Sequence, residues 1–505
     1  MAGLRGGPRG KDVSFAAPVE RRCRVRTIDE VQAVVRKGMM AAAREATRAH
    51  WPLLVLLAVA TVLRLLVTFA FHPVLWFFGD SAAYLQAALH PQPYVERPIG
   101  SSLLWALLRP SHNLAAIAVL QHVLGIAGGI AVYVALLRIG LPRWAATLAV
   151  APLLLDGLEL ALEQTLVAEP VFIALECGLF ALLLGARRRP GIAVVIIAGL
   201  GAGASVVTRS VGVVLVVGLL AVLLFRRVGV VRVAAAGIAA VLPIAAYAGW
   251  YHHDFGSVAV SQSTGQFLYG RVAPFADCHG LVLPPGEQVL CDSRPISQHG
   301  SISFYTWSGQ SPYYRSLPTN RSVRERLATD FAERIIVHQP RAYLGVVLSS
   351  LVSTFTTSIA NSHYRFAAHY PVLPPYAAQP AAAFQQGRSG NTQVNPHLQP
   401  LLTDYQQVAT VPGWLYALAA LLGAAGVLFG RDPGPHRLRS WTAFLLWCGL
   451  GMLVLPSLAA GYDARYLAPT LAPLCLAATL GSWLLTQRIR AGKPVAAETN
   501  ASAPA

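Results

Sequence analysis

WPLLVLLAVATVLRLLVTFAF, residues 51–71, carries a single charge, Arg64, and is long enough to cross about 30 Å of hydrocarbon as a helix. Runs of the same kind fall at 113–137, 144–160, 166–186, 191–207, 210–225, 233–251, 412–430, 441–460 and 466–486, ten in all. Composition agrees: 55% of the 505 residues are hydrophobic, only 12% are charged, and mean hydropathy is +0.51. These values exclude an ordinary soluble domain. The expected fold class is an all-α polytopic membrane protein. An eleventh apolar stretch, 342–360, contains Ser349, Ser350, Ser353, Thr354, Thr356, Thr357 and Ser358 and reads as an interfacial or re-entrant helix.

Loops rich in Lys and Arg stay cytoplasmic. With residues 1–50 inside, 25 of the 40 Lys and Arg residues fall inside, including all three lysines, Lys11, Lys37 and Lys493. An eleventh crossing would move the basic loop 431–439 outside. The chain is therefore expected in the plasma membrane with both termini cytoplasmic and no cleavable signal peptide. It divides into a basic N-terminal segment (1–50), an N-terminal membrane module (51–251) with a first outside loop (72–112), an outside cap (252–411), C-terminal membrane helices (412–487) and a cytoplasmic tail (488–505). The pI near 10.0 follows from this topology. It points to membrane lipids, and to anionic headgroups against residues 1–50, rather than to nucleic acid.

The segment 252–411 is too long to be a connector. Within it, ADCHGLVLPPGEQVLCDS holds Cys278 and Cys291, whose spacing in an outside loop predicts a disulfide; the alternative is two free loop thiols. Ser322 to Tyr343 has helical periodicity through Leu327, Phe331, Ile335 and Ile336. Residues 368–400, rich in Pro, Ala and Gln, read as a flexible, gating loop. No fixed-period repeat, phosphate-binding GxxxxGK[ST], HExxH or zinc-like cysteine cluster is present, so no cofactor is called for and no ligand set indicates a divalent metal.

The polar island FFGDSAAYLQAALHPQPYVERPIGSSLLWALL (77–108) places Asp80, Glu96 and Arg97 just past the first apolar run, where charge is costly. Reading on, the order is Arg64 inside the first span, DSAAY at 80–84, ERPIGSSLLWALL at 96–108, AEPVFIAL at 168–175, TRSVGVVLV at 208–216, the long outside segment, and YDARYLAPTLAPL at 462–474. This order resembles the GT-C superfamily of integral membrane glycosyltransferases, particularly bacterial members related to protein O-mannosyltransferases that use polyprenyl-phosphate sugars. The resemblance covers most of residues 51–487. It implies a bundle of about ten transmembrane helices and a polyprenyl-phosphate-linked sugar donor, with a cell-wall glycan, a glycolipid or a protein as acceptor.

In such enzymes the acid of the first outside loop lies at the reaction centre, and Asp80 matches it. Transfer needs a carboxylate to accept the acceptor's hydroxyl proton while the departing phosphate is stabilised. Asp80 can equally be the N-cap of a helix over 81–90. Many relatives have an Asp-Glu pair here, whereas this chain has Ser81 second. Glu169 matches the family's Glu at a helix start, a place the helix dipole also favours. Glu96 is a second candidate acid, with pairing to Arg97 as its structural alternative. Arg465, Arg209 and Arg97 are the candidate phosphate ligands, and Tyr84, in the same polar island as Arg97, is a further candidate for substrate binding. Arg465 also has Asp463 as an ion-pair partner, and Arg64 reads as bracing an internal carboxylate. In QFLYGRVAPFADC (266–278), Arg271 and the aromatics suit a sugar phosphate, with core packing as the alternative.

The rival function is a lipid-linked-sugar flippase or polytopic transporter with Arg64, Glu169 and Arg465 along its path, and a catalytically inactive scaffold is the third. The topology is tested by cysteine labelling of intact cells. A cysteine near Gln385 should react with an impermeant reagent and one near Pro435 should not; the reverse pattern refutes the orientation.

Overall fold

In a computed structural model, the structure describes residues 28–186, 189–356, 359, 362–366, 373–432 and 437–491. Most of the basic segment 1–50, Arg187 and Arg188, residues 368–372 and the tail beyond residue 491 lie outside these. The chain divides into two units, Met1–Leu54 and Val55–Ala505. The described part of the first is helical from Ile28 onward.

Among the described residues the second unit is built of helices, with one two-residue antiparallel pairing of Phe71–His72 with Gln393–Val394 and an isolated bridge between Leu75 and Thr165. It is a multi-pass membrane protein: among the described residues six helices are long and apolar enough to cross a membrane, or up to eight if each of two bent pairs is one span. The ten apolar runs are all helical. Several of them, however, form short helices, among them Glu169–Leu184, Ile192–Thr208 and Val213–Phe225 at only 16, 17 and 13 residues. At a rise of 1.5 Å per residue these reach roughly 20–26 Å, short of the hydrocarbon thickness.

Local chemistry explains the breaks. Arg143–Leu155 and Gly157–Gln164 meet at 48°, where Asp156 ends one helix and N-caps the next by accepting from the Leu158 and Glu159 amides, both at 2.9 Å. Its other oxygen accepts from Val411 N at 2.7 Å. Arg321–His338 and Pro340–Thr356 meet at 101°, with Pro340 opening the second helix, as suits a residue that lacks an amide hydrogen. Elsewhere small residues bring helices together: Gly199 and Gly203 face the backbone of Ala236 and Ala240, leaving no room for a side chain.

The long insertion has its own core around Tyr269, Tyr305, Tyr313, Phe331 and Ile335, closed by the Cys278–Cys291 disulfide. The aromatic run of 266–278 is thus spent largely on packing. The described part of 368–400 is not a loose loop. Pro375–Phe384 is a helix whose Ala377, Ala381 and Phe384 pack on Trp76, Tyr84, Leu85 and Leu114. Small alanines allow that close approach, and they give no apolar periodicity to read.

Arg64 does brace an internal carboxylate. Its Nη2 donates to Glu163 Oε1 at 2.8 Å and its Nη1 to the Leu154 carbonyl at 2.9 Å, while His122 Nδ1 lies 2.7 Å from Glu163 Oε2. Gln121 Nε2 donates to the Glu163 and Thr165 carbonyls, and Gln164 Nε2 to the Phe71 carbonyl; with the Leu75–Thr165 bridge this ties the region to the chain just before the polar island. Arg64→Leu should therefore strip the buried Glu163 of its guanidinium partner and cost about 3–5 kcal/mol, read as a large fall in melting temperature in detergent. Adding Glu163→Gln should restore most of the loss; a double variant no more stable than the single one would show that the pair is not what matters.

Candidate functional site

The polar island folds so that its charges turn inward. The helix Phe78–Leu89 begins after Phe77, whose amide donates to Ser81 Oγ at 2.8 Å. Phe78 takes a left-handed φ of 30°, uncommon for a bulky residue, in the turn that carries Asp80. The reading of Asp80 as the N-cap of 81–90 is thereby corrected: Asp80 sits inside the first helical turn, and Ser81 supplies the reach-back bond. The Asp80 carboxylate is left for guanidiniums.

Both of its oxygens are taken. Oδ1 pairs with Arg97, seventeen residues on, and Oδ2 accepts from Arg465 Nη1 at 2.7 Å. Arg465 Nε in turn lies 3.6 Å from Glu169 Oε1 and 3.7 Å from Asp463 Oδ2, and Glu169 pairs with Arg209. Glu169 is 1% exposed; Asp80, Arg97, Arg209 and Arg465 are 14–16% exposed. Three guanidiniums and two carboxylates thus share one nearly buried site, and the more exposed Asp463 stands at its rim.

Each residue arrives by a different local device. Glu169 opens the helix Glu169–Leu184 with Pro170 behind it. Arg209 follows the end of Ile192–Thr208, and Gly100 packs so tightly on Thr208 that the loop bearing Arg97 is drawn to it. Arg465 sits in a short turn, Ala464–Tyr466, whose amide at Arg465 donates to Asp463 Oδ1. That turn follows Gly461, at φ of 92°, where a side chain would meet Arg271.

Aromatic rings line the cluster. The Arg97 guanidinium lies 5.7 Å from the Tyr84 ring centre and 5.9 Å from that of Tyr94; Arg465 lies 4.9 Å from Phe77 and 5.5 Å from Tyr466; Arg209 lies 5.9 Å from Tyr466. Burial pushes the Tyr84 phenol up to about 12 against the pull of Arg97. Burial alone would also raise the Asp80 carboxyl, but Arg97 and Arg465 hold it well below the usual carboxylate range.

The structure therefore brings Asp80, Tyr84, Arg97, Glu169, Arg209 and Arg465 together. Glu96 faces the other way, toward Arg321 Nη1 at 3.4 Å. Arg271 does not join the cluster either. It donates to the Val346 carbonyl at 2.7 Å and Ser350 Oγ at 2.9 Å, so in the structure it braces the insertion rather than facing the charges. Sequence reasoning overlooked the aromatic partners Phe77, Tyr364 and Tyr466; Tyr364 stacks on Phe77 with ring centres 5.0 Å apart. A signal existed in SHYRF (362–366), an aromatic and basic patch directly after the Ser/Thr-rich helix. Among the described residues no group of three or more His, Cys, Asp and Glu is arranged to hold a metal ion.

No family model matches the chain, and no curated protein matches it. Comparison with solved structures finds a likeness to the S. cerevisiae protein O-mannosyltransferase Pmt1-Pmt2 complex bound to the sugar donor, at 13% identity and a TM-score of 0.33 over 44% of this chain. The alignment spans 36% of that chain, and an overlap this limited leaves any functional reading to rest on the site itself.

A carboxylate whose folded pKa lies below its unfolded value near 3.9 contributes stability that is complete above that value and is lost as pH falls through the folded pKa. The stability difference between the native chain and Asp80→Asn should thus stay constant from pH 7 down to about 4 and shrink only below that. Melting curves in detergent across this range measure it. A difference that already declines between pH 7 and 5 would contradict the double guanidinium pairing.

Proposed function

We propose that the chain is a membrane glycosyltransferase that moves a sugar from a polyprenyl-phosphate donor to an acceptor hydroxyl on the outer face of the plasma membrane. One observation carries the reading: an acid from the first polar island, an acid from a helix start and three arginines from separate parts of the chain converge on one buried site. The order of motifs along the sequence, which resembles that of GT-C enzymes, supports the same assignment. In this reading about ten helices cross the membrane, both termini are cytoplasmic, and 252–411 caps the site from outside. The acceptor is a cell-wall glycan, a glycolipid or a secreted protein.

The roles follow from charge. A donor phosphate entering the cluster competes with Asp80 for Arg465 and Arg97, because guanidiniums pair phosphate as readily as carboxylate. As those cations turn to phosphate, Asp80 loses the partners that depress its pKa and becomes a better base. The acceptor oxygen then bonds to the anomeric carbon, its proton passes to Asp80, and the bond from that carbon to the phosphate oxygen breaks. The electron pair leaves with the lipid phosphate, held by Arg465, Arg97 and Arg209. Glu169 keeps Arg209 and Arg465 aimed at the site. The base is thus weak while the site is empty and strengthened once the donor is bound, which favours transfer over stray proton uptake.

Asp80→Asn should lower turnover by roughly 10²- to 10⁴-fold, the usual worth of a general base, while binding of polyprenyl phosphate is kept or improved. Arg465→Ala should instead weaken donor binding and raise its KM. Assay of sugar transfer from polyprenyl-phosphate donors by mass spectrometry separates the two. Retention of more than about a tenth of native turnover in Asp80→Asn removes Asp80 as the base.

A further inference from the structure

Tyr364 is held in place from several sides. Its ring stacks on Phe77 with centres 5.0 Å apart and planes 22° apart. Its amide donates to Ser362 Oγ at 2.9 Å, and its carbonyl accepts from Gln406 Nε2 at 2.9 Å. Two residues on, the Phe366 amide donates to Gln406 Oε1 at 2.9 Å, the Phe366 carbonyl accepts from Gln399 Nε2 at 3.1 Å, and the Phe366 ring stacks on Phe71. The strap 362–366 is therefore fixed against the same Phe77 ring that Arg465 overlies at 4.9 Å.

The hydroxyl at the end of this braced side chain has no partner among the described residues, although Tyr364 is only 6% exposed. Buried hydroxyls are almost always bonded, so an unmatched one marks a position that something else fills. Its surroundings are the charged site. Burial pushes the phenol well above its ordinary range, and the charges acting on it are Arg465, which pulls the other way, then Asp463, Glu169 and Asp80. The phenol accordingly stays protonated at neutral pH and keeps its O–H to donate. A second donor nearby is also unspent: Arg465 Nε makes no hydrogen bond, although Glu169 and Asp463 lie within 4 Å of it. Unmatched donors on two converging side chains call for an acceptor with several oxygens.

We infer that Tyr364 is a donor-binding residue, its phenolic O–H donating a hydrogen bond to an oxygen of the same phosphate that Arg465 pairs with. The inference rests on the proposed transfer from a lipid phosphate. In that reaction the phosphate gains negative charge as its bond to the sugar breaks, and the Tyr364 bond strengthens with it, without moving a proton. Tyr364 is a stabiliser of the leaving group, distinct from Asp80, which takes the acceptor's proton. Phe77 acts as the shared platform that sets the tyrosine and the arginine side by side.

The test uses the full chain in detergent, with polyprenyl monophosphate, inorganic phosphate and phosphatidylglycerol as separate probes. Tyr364→Phe keeps the ring on Phe77 and removes only the hydroxyl, so its melting temperature without ligand should match the native protein. Its affinity for polyprenyl monophosphate should fall roughly tenfold or more, as expected on losing a hydrogen bond to a charged group. The donor KM should rise in step. A Tyr364-dependent shift with inorganic phosphate assigns the contact to the phosphate group itself, and one confined to polyprenyl phosphate assigns it to the lipid-linked form; both support the inference. Equal affinity in Tyr364→Phe, with binding lost in Arg465→Ala, overturns it and leaves the proposed function standing. Failure of the native chain to bind any of the phosphate probes overturns both together.

Discussion

Arg465 is the point on which the site depends. One guanidinium donates to Asp80, faces Glu169 and Asp463, and overlies Phe77 and Tyr466. Its partners lie up to 385 residues away in sequence. A charge placed in a membrane bundle must find opposite charge or be driven neutral, and removing one partner of such a set is far more costly than never burying it. Convergence of the first polar island, the start of Glu169–Leu184, the end of Ile192–Thr208 and the 461–466 turn is therefore a condition of folding as well as of chemistry. Gly461 shows the precision involved, since its left-handed φ and its contact with Arg271 leave no tolerance for another residue.

The second charged cluster makes a useful contrast. Arg64, Glu163 and His122 are as buried as the site, and they too join distant segments. Yet Glu163 offers one oxygen to each partner, and His122 spends its second nitrogen on Gln164 Oε1 at 2.9 Å. Apart from Arg64 Nε and Gln121 Oε1 that network is closed, and a closed polar network in a low-dielectric interior mainly rigidifies. Around Arg465, its own Nε and the Tyr364 hydroxyl are buried without a hydrogen bond among the described residues. An unmatched guanidinium nitrogen occurs in both clusters, so what sets the Arg465 cluster apart is the unmatched phenol beside it.

The same physics explains what could be read from the chain alone. Charged residues are few, so each one beside an apolar run carries information. Asp80, Arg97, Glu169, Arg209 and Arg465 stand out for that reason, and Arg64 inside the first span calls for a buried carboxylate, which Glu163 supplies. Aromatic residues are spread too evenly to stand out singly: Phe77 and Tyr466 give no such signal, and Tyr364 has only the basic residues beside it in SHYRF. Glu96 and Arg271 carried charge but were bound elsewhere, one to Arg321 and one to the 346–350 helix backbone and Ser350, partners that only three-dimensional packing selects. Helix lengths were misjudged where hydropathy continued past a capping break, as at Asp156, and the Ala-rich stretch 375–384 was missed because alanine packs well without marking a face.

Ser81 bears on how the charge balance is set. Directly after Asp80 this chain has a hydroxyl that is fully buried and committed to the Phe77 amide. The loop therefore presents one carboxylate, and both of its oxygens are met by guanidiniums. A second acid at that place would add a negative charge to the site proposed to admit phosphate, and it would need a further cation to offset it. With serine there, three arginines face two buried carboxylates, so the buried core of the site carries one net positive charge before Asp463 at the rim is counted. In the proposed reaction an incoming phosphate then meets an attractive field, and what it displaces is the carboxylate that the transfer needs to be free.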